Sequence, residues 1–400
     1  MGTYSLKSIM RCKACNSQEI RILCTIEGVP VHSVKLERSR LAALDSARGD
    51  IRLGFCESCG FIFNTAYDPS FHNYYSDRYD STQACSNTFN KFHRRLATSL
   101  IDRFDLRGKT IIEIGCGQGE FLSLLCELGS NKGIGFDPAY IEQEKSHGQF
   151  SDLTIIKDFY SEKYIDYSSD FVCCKMTLEH IQNPKEFISM IRRSIGNRRE
   201  TVVFFQVPNA ARILREIAFW DIYYEHCSYF TQESIGSLSQ NCGFDILDVN
   251  TEYDDQYLMI AAVPGGFRKE TDKGRKEDFN SLMKEVDFFV NNYQNKIDEW
   301  KLKLIDQKDN SSKPVIWGGG SKGVAFLTTL GIGDEVEYAV DINPRKHGTY
   351  LAGSGQMVVG PQFLIEYQPD IILVMNPIYT DEILVTLHEF GLQTELIPVG

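Results

Sequence analysis

A short apolar strand that runs straight into closely spaced glycines and then into a helical pattern admits few folds, and this chain carries the arrangement twice. The first copy is Lys109-Thr-Ile-Ile-Glu-Ile114, followed by Gly115, Gly117 and Gly119 and then by Leu122, Leu124, Leu125 and Leu128. The second is Val315-Ile-Trp317, followed by Gly318, Gly320 and Gly323. Strand, glycine turn and helix open a parallel α/β unit in which the helix N-terminus aims free N–H groups at whatever lies over the turn. Glycine lets the backbone approach that ligand with no Cβ in the way. With 400 residues the chain has room for two or three domains of ~100–200 residues each.

Charge narrows the partners. Lys+Arg 42 against Asp+Glu 54 leaves a formal charge of −12, which argues against a broad cationic face for nucleic acid or anionic lipid. The opening residues show no apolar core behind a basic head, and no run of ~18 apolar residues occurs. A soluble cytoplasmic protein is expected, without nucleic-acid or membrane partners. In that reducing compartment the 12 cysteines are not expected to pair as disulfides.

Four of them form two matched knuckles, Cys12-Lys-Ala-Cys15 and Cys56-Glu-Ser-Cys59, 40 residues apart. Brought together they supply the tetrahedral sulfur set that zinc prefers, so a structural zinc site is expected. A redox dithiol or simple packing are the competing readings, and neither explains two matched pairs. The long gap implies an insertion, expected at the charged stretch 35–50. Asn16 and Gly60, each directly after a knuckle, tolerate the backbone that turns amides toward thiolates. Beyond the knuckles, Tyr74, Tyr75 and Tyr79 crowd into a stretch without clean periodicity, as a lid over a ligand or as packing against the next domain.

The first glycine loop differs from a dinucleotide fingerprint: its third glycine comes one residue early, and Glu113 sits two residues before the first. An acid there repels a pyrophosphate but can anchor a cationic amino-acid tail, which favours S-adenosylmethionine (SAM). Asp137 ends the second strand 18 residues past Gly119, where a carboxylate can accept both ribose hydroxyls. Asp158 and Phe159 end a third strand with an acid and an aromatic ring suited to adenine. Together with the stretch from Phe171 through Glu179-His180 to Pro184, these residues resemble class I SAM-dependent methyltransferases over about 100–265. His180 reads equally as a capping or packing residue and as a catalytic one.

Further along, Tyr223-Tyr-Glu225-His226-Cys-Ser-Tyr229-Phe230 gathers an acid, an imidazole and phenols on the expected ligand rim. Histidine beside a carboxylate suits general-base work near neutral pH if both reach one substrate, although neighbours in an extended strand point to opposite faces. The knuckles, the glycine loop and this string together resemble the three-domain sugar C-methyltransferases, which methylate carbon 3 of nucleotide-linked 4-keto deoxysugars. The resemblance implies that His226 is the base for the C-3 proton, with Glu225 beside it. Tyr223, Tyr229 or Tyr79 would then donate to the enolate oxygen.

Residues 266–313 carry helical spacing (Phe279, Leu282, Val286, Phe289, Val290, Tyr293) and are expected to form one long helix. The second glycine loop formally satisfies GxGxxG, and Asp341 lies 18 residues past Gly323. An NAD-dependent enzyme is therefore an alternative, yet the 87 residues from Pro314 to Gly400 suffice for roughly half of a full dinucleotide fold. The stretch 315–353 also resembles the C-terminal domain of the sugar methyltransferases, which helps to bind the nucleotide-sugar; Ala352-Gly353 stands where that family more often has Pro-Gly.

The expected architecture is α/β: a zinc-binding domain and lid over 1–80, a Rossmann-like SAM-binding catalytic domain over 81–265, and a long helix with a Rossmann-like domain over 266–400. The expected function is C-3 methylation of a nucleotide-linked 4-keto-6-deoxysugar through an enolate. O- or N-methylation of a related sugar is the alternative within the same fold. A zinc-ribbon interaction protein with an inactive core is opposed by the intact glycine loop and acids.

Overall fold

The structure, a computed structural model, describes residues 10–71, 82–141, 152–265, 272–309 and 312–400. In the N-terminal region a long β1 (Ile20–Pro30), a short α1 (Arg40–Leu44), β2 (Arg48–Cys56) and β3 (Ile62–Asn64) follow the first knuckle. β1 and β2 pair antiparallel, so the segment between the knuckles is mostly a two-stranded ribbon. The expected insertion includes α1, and it docks on the far end of the chain: Gly353 N donates to Ala43 O at 2.7 Å, and Tyr350 N to Glu37 O at 2.8 Å. Asn16 and Gly60 both take positive φ, 68° and 74°, as the turns after the knuckles require.

The middle region runs α2 (Asn87–Phe104), β4 (Thr110–Ile114), α3 (Glu120–Gly129), β5 (Lys132–Phe136), β6 (Leu153–Ile156), β7 (Phe171–Lys175), α4 (Pro184–Ile195), β8 (Val202–Pro208), α5 (Ala210–Glu216), β9 (Ser228–Tyr229), α6 (Gln232–Asn241), β10 (Phe244–Glu252) and β11 (Tyr257–Pro264). Its seven-stranded sheet has the order β10-β11-β8-β7-β4-β5-β6. Five strands are parallel, and β11 enters antiparallel between β8 and β10. The parallel part is doubly wound around β4, which puts the ligand crevice at the carboxyl ends of β4 and β7. The antiparallel β11 separates this sheet from the all-parallel dinucleotide fold and gives a class I SAM methyltransferase core. β9 does not join it; this two-residue strand pairs with β3 (Ile62↔Tyr229), completing a four-stranded sheet β1-β2-β3-β9.

α7 (Asp272–Asp309) is the long helix, 38 residues in one piece. Leu282, Val286, Phe289, Tyr293, Ile297, Trp300 and Leu304 are buried along it, one apolar stripe at helical spacing. They pack in one cluster with β1, the 219–222 turn and the next domain. That domain holds β12 (Pro314–Trp317), α8 (Ser321–Leu330), β13 (Tyr338–Val340), β14 (Met357–Val359), α9 (Leu364–Tyr367), β15 (Ile371–Val374), α10 (Thr380–Glu389) and β16 (Glu395–Pro398). All five strands are parallel, in the order β14-β13-β12-β15-β16. The sheet is thus larger than its 87 residues suggested, because its strands have only three or four residues each. Among the described residues no helix is long and apolar enough to cross a membrane.

Candidate active site

The first glycine loop sits between β4 and α3, with φ of 72°, 57° and 88° at Gly115, Gly117 and Gly119. All three lie in the left-handed region that favours glycine. A Cβ on Gly115 would also fall 2.0 Å from Thr177 Oγ1, whereas one on Gly117 would meet little besides Glu120 at 3.9 Å. The middle glycine is therefore the open face of the cradle. Asp137 braces it: one carboxylate oxygen accepts from Gly117 N at 2.8 Å, the other from Ala139 N at 2.8 Å. Each oxygen keeps a lone pair for a further donor such as a ribose hydroxyl. Burial raises the Asp137 pKa, against those two amides.

Glu113 is 2% exposed, and its Oε2 has no hydrogen-bond partner. Burial pushes its pKa up to about 8, with Lys175 opposing and Glu120 and Asp137 adding to the rise. A buried acid with an unsatisfied oxygen beside a glycine cradle is what the ammonium end of SAM needs. Asp158 is held by Lys163, by the Tyr164 hydroxyl at 2.6 Å and by Phe159 N at 2.8 Å. Lys163 chiefly lowers its pKa, to about 2. Phe159 is 53% exposed on the cavity wall, an apolar platform next to a fixed carboxylate.

The 223–229 string folds onto the same cavity. His226 is 4% exposed, with its Nδ1 unpartnered; burial first, then His180 and Lys322, hold its pKa well below the usual imidazole value. Burial thus favours the neutral ring, and its unpartnered Nδ1 is left for a ligand. The Tyr223 ring lies 4.1 Å from it and the His180 ring 5.0 Å, edge-on. His180 Nδ1 is 2.9 Å from the Glu225 carbonyl, and because a carbonyl only accepts, this nitrogen carries the proton. The Glu225 carboxylate accepts from Ser33 N at 3.0 Å and from the Ser33 hydroxyl. Ser33 in turn bonds Ser321 at 2.8 Å, tying the string to the N-terminal ribbon and the second glycine loop. Tyr229 donates its hydroxyl to Tyr223 O at 3.3 Å, so of the phenols named from sequence Tyr223 is the one best placed beside the imidazole. Tyr79, like Tyr74 and Tyr75, lies outside the described residues.

The second glycine loop faces the same space. Gly318, Gly320, Ser321, Lys322, Asn343, Arg345 and Lys346 line one cavity with Glu113, Asp137 and His226. Its volume of about 1470 Å³ exceeds the ~300–1,000 Å³ of a single small-molecule site, leaving room for two ligands. Asp341, the acid an NAD site would use, is paired with Lys346 Nζ at 2.8 Å and accepts from Asn343 N at 2.8 Å.

Away from the cavity, the four knuckle sulfurs lie within 4.8 Å of one another, with 3.6 Å between Cys12 and Cys59 and 3.5 Å between Cys15 and Cys56. Sulfurs at ~2.3 Å from a tetrahedral zinc stand ~3.8 Å apart, so the set fits the ion. All four thiols are free of disulfides.

Comparison with known families agrees with this geometry. Residues 89–249 match the methyltransferase domain model, and residues 268–396 match the C-methyltransferase C-terminal domain model. C-methyltransferase NovU of Streptomyces niveus is 23% identical over 315 residues, spanning 74% of this chain and 73% of that protein. The protein is a SAM-dependent methyltransferase. The mitochondrial ubiquinone biosynthesis O-methyltransferase of Dictyostelium discoideum is 30% identical over 106 residues, 22% of this chain and 33% of its own length. Among solved structures, the SAH-bound magnesium protoporphyrin IX methyltransferase ChlM of Synechocystis PCC 6803 overlaps at 15% identity with TM-score 0.36, covering 48% of this chain and 91% of that one. That overlap is too loose to carry an argument. The C-terminal match and the NovU similarity support transfer to carbon, and they set the second glycine fingerprint in a C-methyltransferase domain instead of an NAD enzyme.

Two groups of this methyltransferase stand out only in three dimensions. Glu179 is 1% exposed with both carboxylate oxygens unpartnered, its pKa pushed by burial to about 8, and it clusters with ring nitrogens of His180 and His226 within 4.8 Å. Lys322 Nζ reaches Asp221 at 2.9 Å and Gln256 at 3.2 Å on the opposite wall. The Glu179-His180 pair is visible as a motif, but nothing in its spacing tells that it meets His226.

Glu113 gives a pH signature. Burial pushes its pKa up to about 8, so if Glu113 accepts an α-ammonium it ionises on binding and a proton is released below that pH. S-adenosylhomocysteine (SAH) affinity should therefore rise from about pH 6 to about pH 8 and level off above. Calorimetry in buffers of different ionisation enthalpy would read the released proton. A pH-independent affinity without proton release would rule out the Glu113 assignment.

Proposed function

We propose that this methyltransferase adds a methyl group to carbon 3 of a nucleotide-linked 4-keto-6-deoxysugar held between the two glycine loops. The observation that carries the reading is His226, a buried imidazole with an unpartnered Nδ1 in the wall of a cavity large enough for two ligands. A ketone at C-4 acidifies the C-3 hydrogen, so a neutral imidazole can take that proton and leave an enolate. SAM, when bound, supplies the sulfonium methyl that the carbon attacks, with SAH leaving and the ketone restored. Tyr223, packed on the imidazole, is assigned the hydrogen bond to the enolate oxygen. Glu179, whose burial favours the protonated carboxyl, is assigned to hold His226 in position, and Glu225, anchored on Ser33, holds the string in place. Lys322, Arg345 and Lys346 line the second loop and are assigned to a diphosphate, for which Lys322 and Lys346 would exchange their present partners Asp221 and Asp341. Glu113, Gly115, Gly117, Gly119 and Asp137 are assigned to SAM, with Asp158 and Phe159 at its adenine end. Cys12, Cys15, Cys56 and Cys59 are assigned to a structural zinc ion, which takes no part in the transfer.

Methylation of a sugar hydroxyl or amine is the second reading, favoured by the match of the middle region to an O-methyltransferase. NMR of the product from SAM and a nucleotide-linked 4-keto-6-deoxysugar decides between them. A methyl singlet on a quaternary C-3 is expected; a methoxy or N-methyl signal would replace the carbon assignment.

A further inference from the structure

Lys175 ends β7, directly beside the first glycine loop, and is 7% exposed. A buried ammonium normally has an anion, because desolvation must be offset by a close opposite charge. Among the described residues Nζ has one hydrogen-bonding neighbour, His93 Nε2 at 3.3 Å, and it stands 4.5 Å from the Phe121 ring centroid. Lysine can only donate, so His93 Nε2 is the acceptor, consistent with burial and the neighbouring cation keeping that imidazole neutral. Among the described residues no carboxylate comes within ion-pair distance of Lys175.

The carboxylates that act on Lys175 from beyond contact are Glu113 and Glu179. Glu113 pairs across the sheet with Cys173, two residues before Lys175, so Glu113 and Lys175 rise from the same face. They influence each other electrostatically without touching, and one Glu113 oxygen is unpartnered. Both line the cavity beside Gly115 and Gly117. Burial disfavours the charge on each of them, raising the Glu113 pKa and lowering that of Lys175, so an ammonium beside the first and a carboxylate beside the second would favour their ionised forms: at the mouth of the glycine cradle the two form a template for a zwitterion.

We propose that Lys175, positioned by His93, binds the α-carboxylate of the SAM amino-acid tail while Glu113 binds its α-ammonium. The cofactor completes an ion-pair arrangement that the free protein leaves open, and nucleosides without a charged tail gain nothing from it. This assignment concerns the cofactor alone and is independent of which acceptor is methylated.

Calorimetric titration of the 400-residue chain tests it with three ligands: SAH, decarboxylated SAH, and 5′-methylthioadenosine, which lacks the whole amino-acid tail. The unaltered protein is expected to bind decarboxylated SAH about 30-fold more weakly than SAH, the lower range for removing one partner of a buried charge pair. Lys175→Met should weaken SAH by a similar factor, leave 5′-methylthioadenosine unchanged, and abolish the preference for the carboxylated ligand. Equal affinity of the unaltered protein for SAH and its decarboxylated form would overturn the proposal without recourse to any variant. So would a Lys175→Met protein that retains the preference or loses 5′-methylthioadenosine to the same extent.

Discussion

Replacing His226 with asparagine is expected to cut methyl transfer by about 100-fold or more, the lower range for loss of a general base. SAH affinity should stay within about twofold, since the binding and chemical steps use different groups. The expectation follows from where the imidazole sits. It is buried, which favours the neutral ring, and its Nδ1 lacks a partner. None of the hydrogen bonds that brace Gly117 and Asp137 involves it. Asparagine keeps a polar group of similar reach but cannot take a proton at neutral pH. Glu179→Gln should act in the same direction more weakly, because it alters a buried neighbour of the imidazole and leaves the base. Turnover by His226→Asn close to that of the unaltered enzyme would remove the base assignment, and a parallel loss of SAH binding would reveal a structural role instead.

Loss of the thiol cluster should have a comparably large effect, transmitted through the fold. Cys56→Ser, or exhaustive chelation, is expected to release one zinc per chain and to lower the first unfolding transition by at least about 10 °C, given that structural zinc carries much of a small domain's folding free energy. Activity should fall with it. The second knuckle sits at the β2–β3 turn, and β3 pairs directly with β9, which carries Tyr229. Asn64 N donates to Cys227 O at 3.0 Å, and Phe61 packs 5.4 Å from Phe230. The sheet organised by the knuckles is thus the backing of the 223–229 string. Zinc content and melting temperature unchanged by Cys56→Ser would contradict this view of the cluster.

Local signals in the chain lead to local structure. An apolar run entering spaced glycines can hardly be other than a strand and a turn, and Glu113 before them is set by the same short segment. The stripe from Leu282 to Trp300 specifies a helix because its spacing leaves one face to bury. What fails to show locally depends on distant partners. Tyr229 looks like an active-site phenol beside His226, but β9 pairs with a strand more than 160 residues earlier in sequence, and its hydroxyl turns to Tyr223 O. Glu225 is next to His226 in the chain, yet its carboxylate reaches Ser33, while Glu179, 47 residues before His226, shares its cluster. Pairing of strands and docking of loops set these directions, and neither is encoded in the spacing of the residues involved. The five-stranded C-terminal sheet exceeded its expected size for a simpler reason: very short strands fit more of them into the same length.

The most direct test of a carbon base uses no methyl transfer at all. The protein would be incubated in heavy water with SAH, which occupies the cofactor site but carries no methyl to transfer, and with a nucleotide-linked 4-keto-6-deoxysugar. Deuterium at C-3 would then be followed by NMR and mass spectrometry. If His226 removes the C-3 proton, deuterium should accumulate with the unaltered protein and be lost with His226→Asn. A sugar that is methylated at carbon when SAM is supplied, yet exchanges at C-3 equally fast with either protein, would contradict the assignment of His226 as the base.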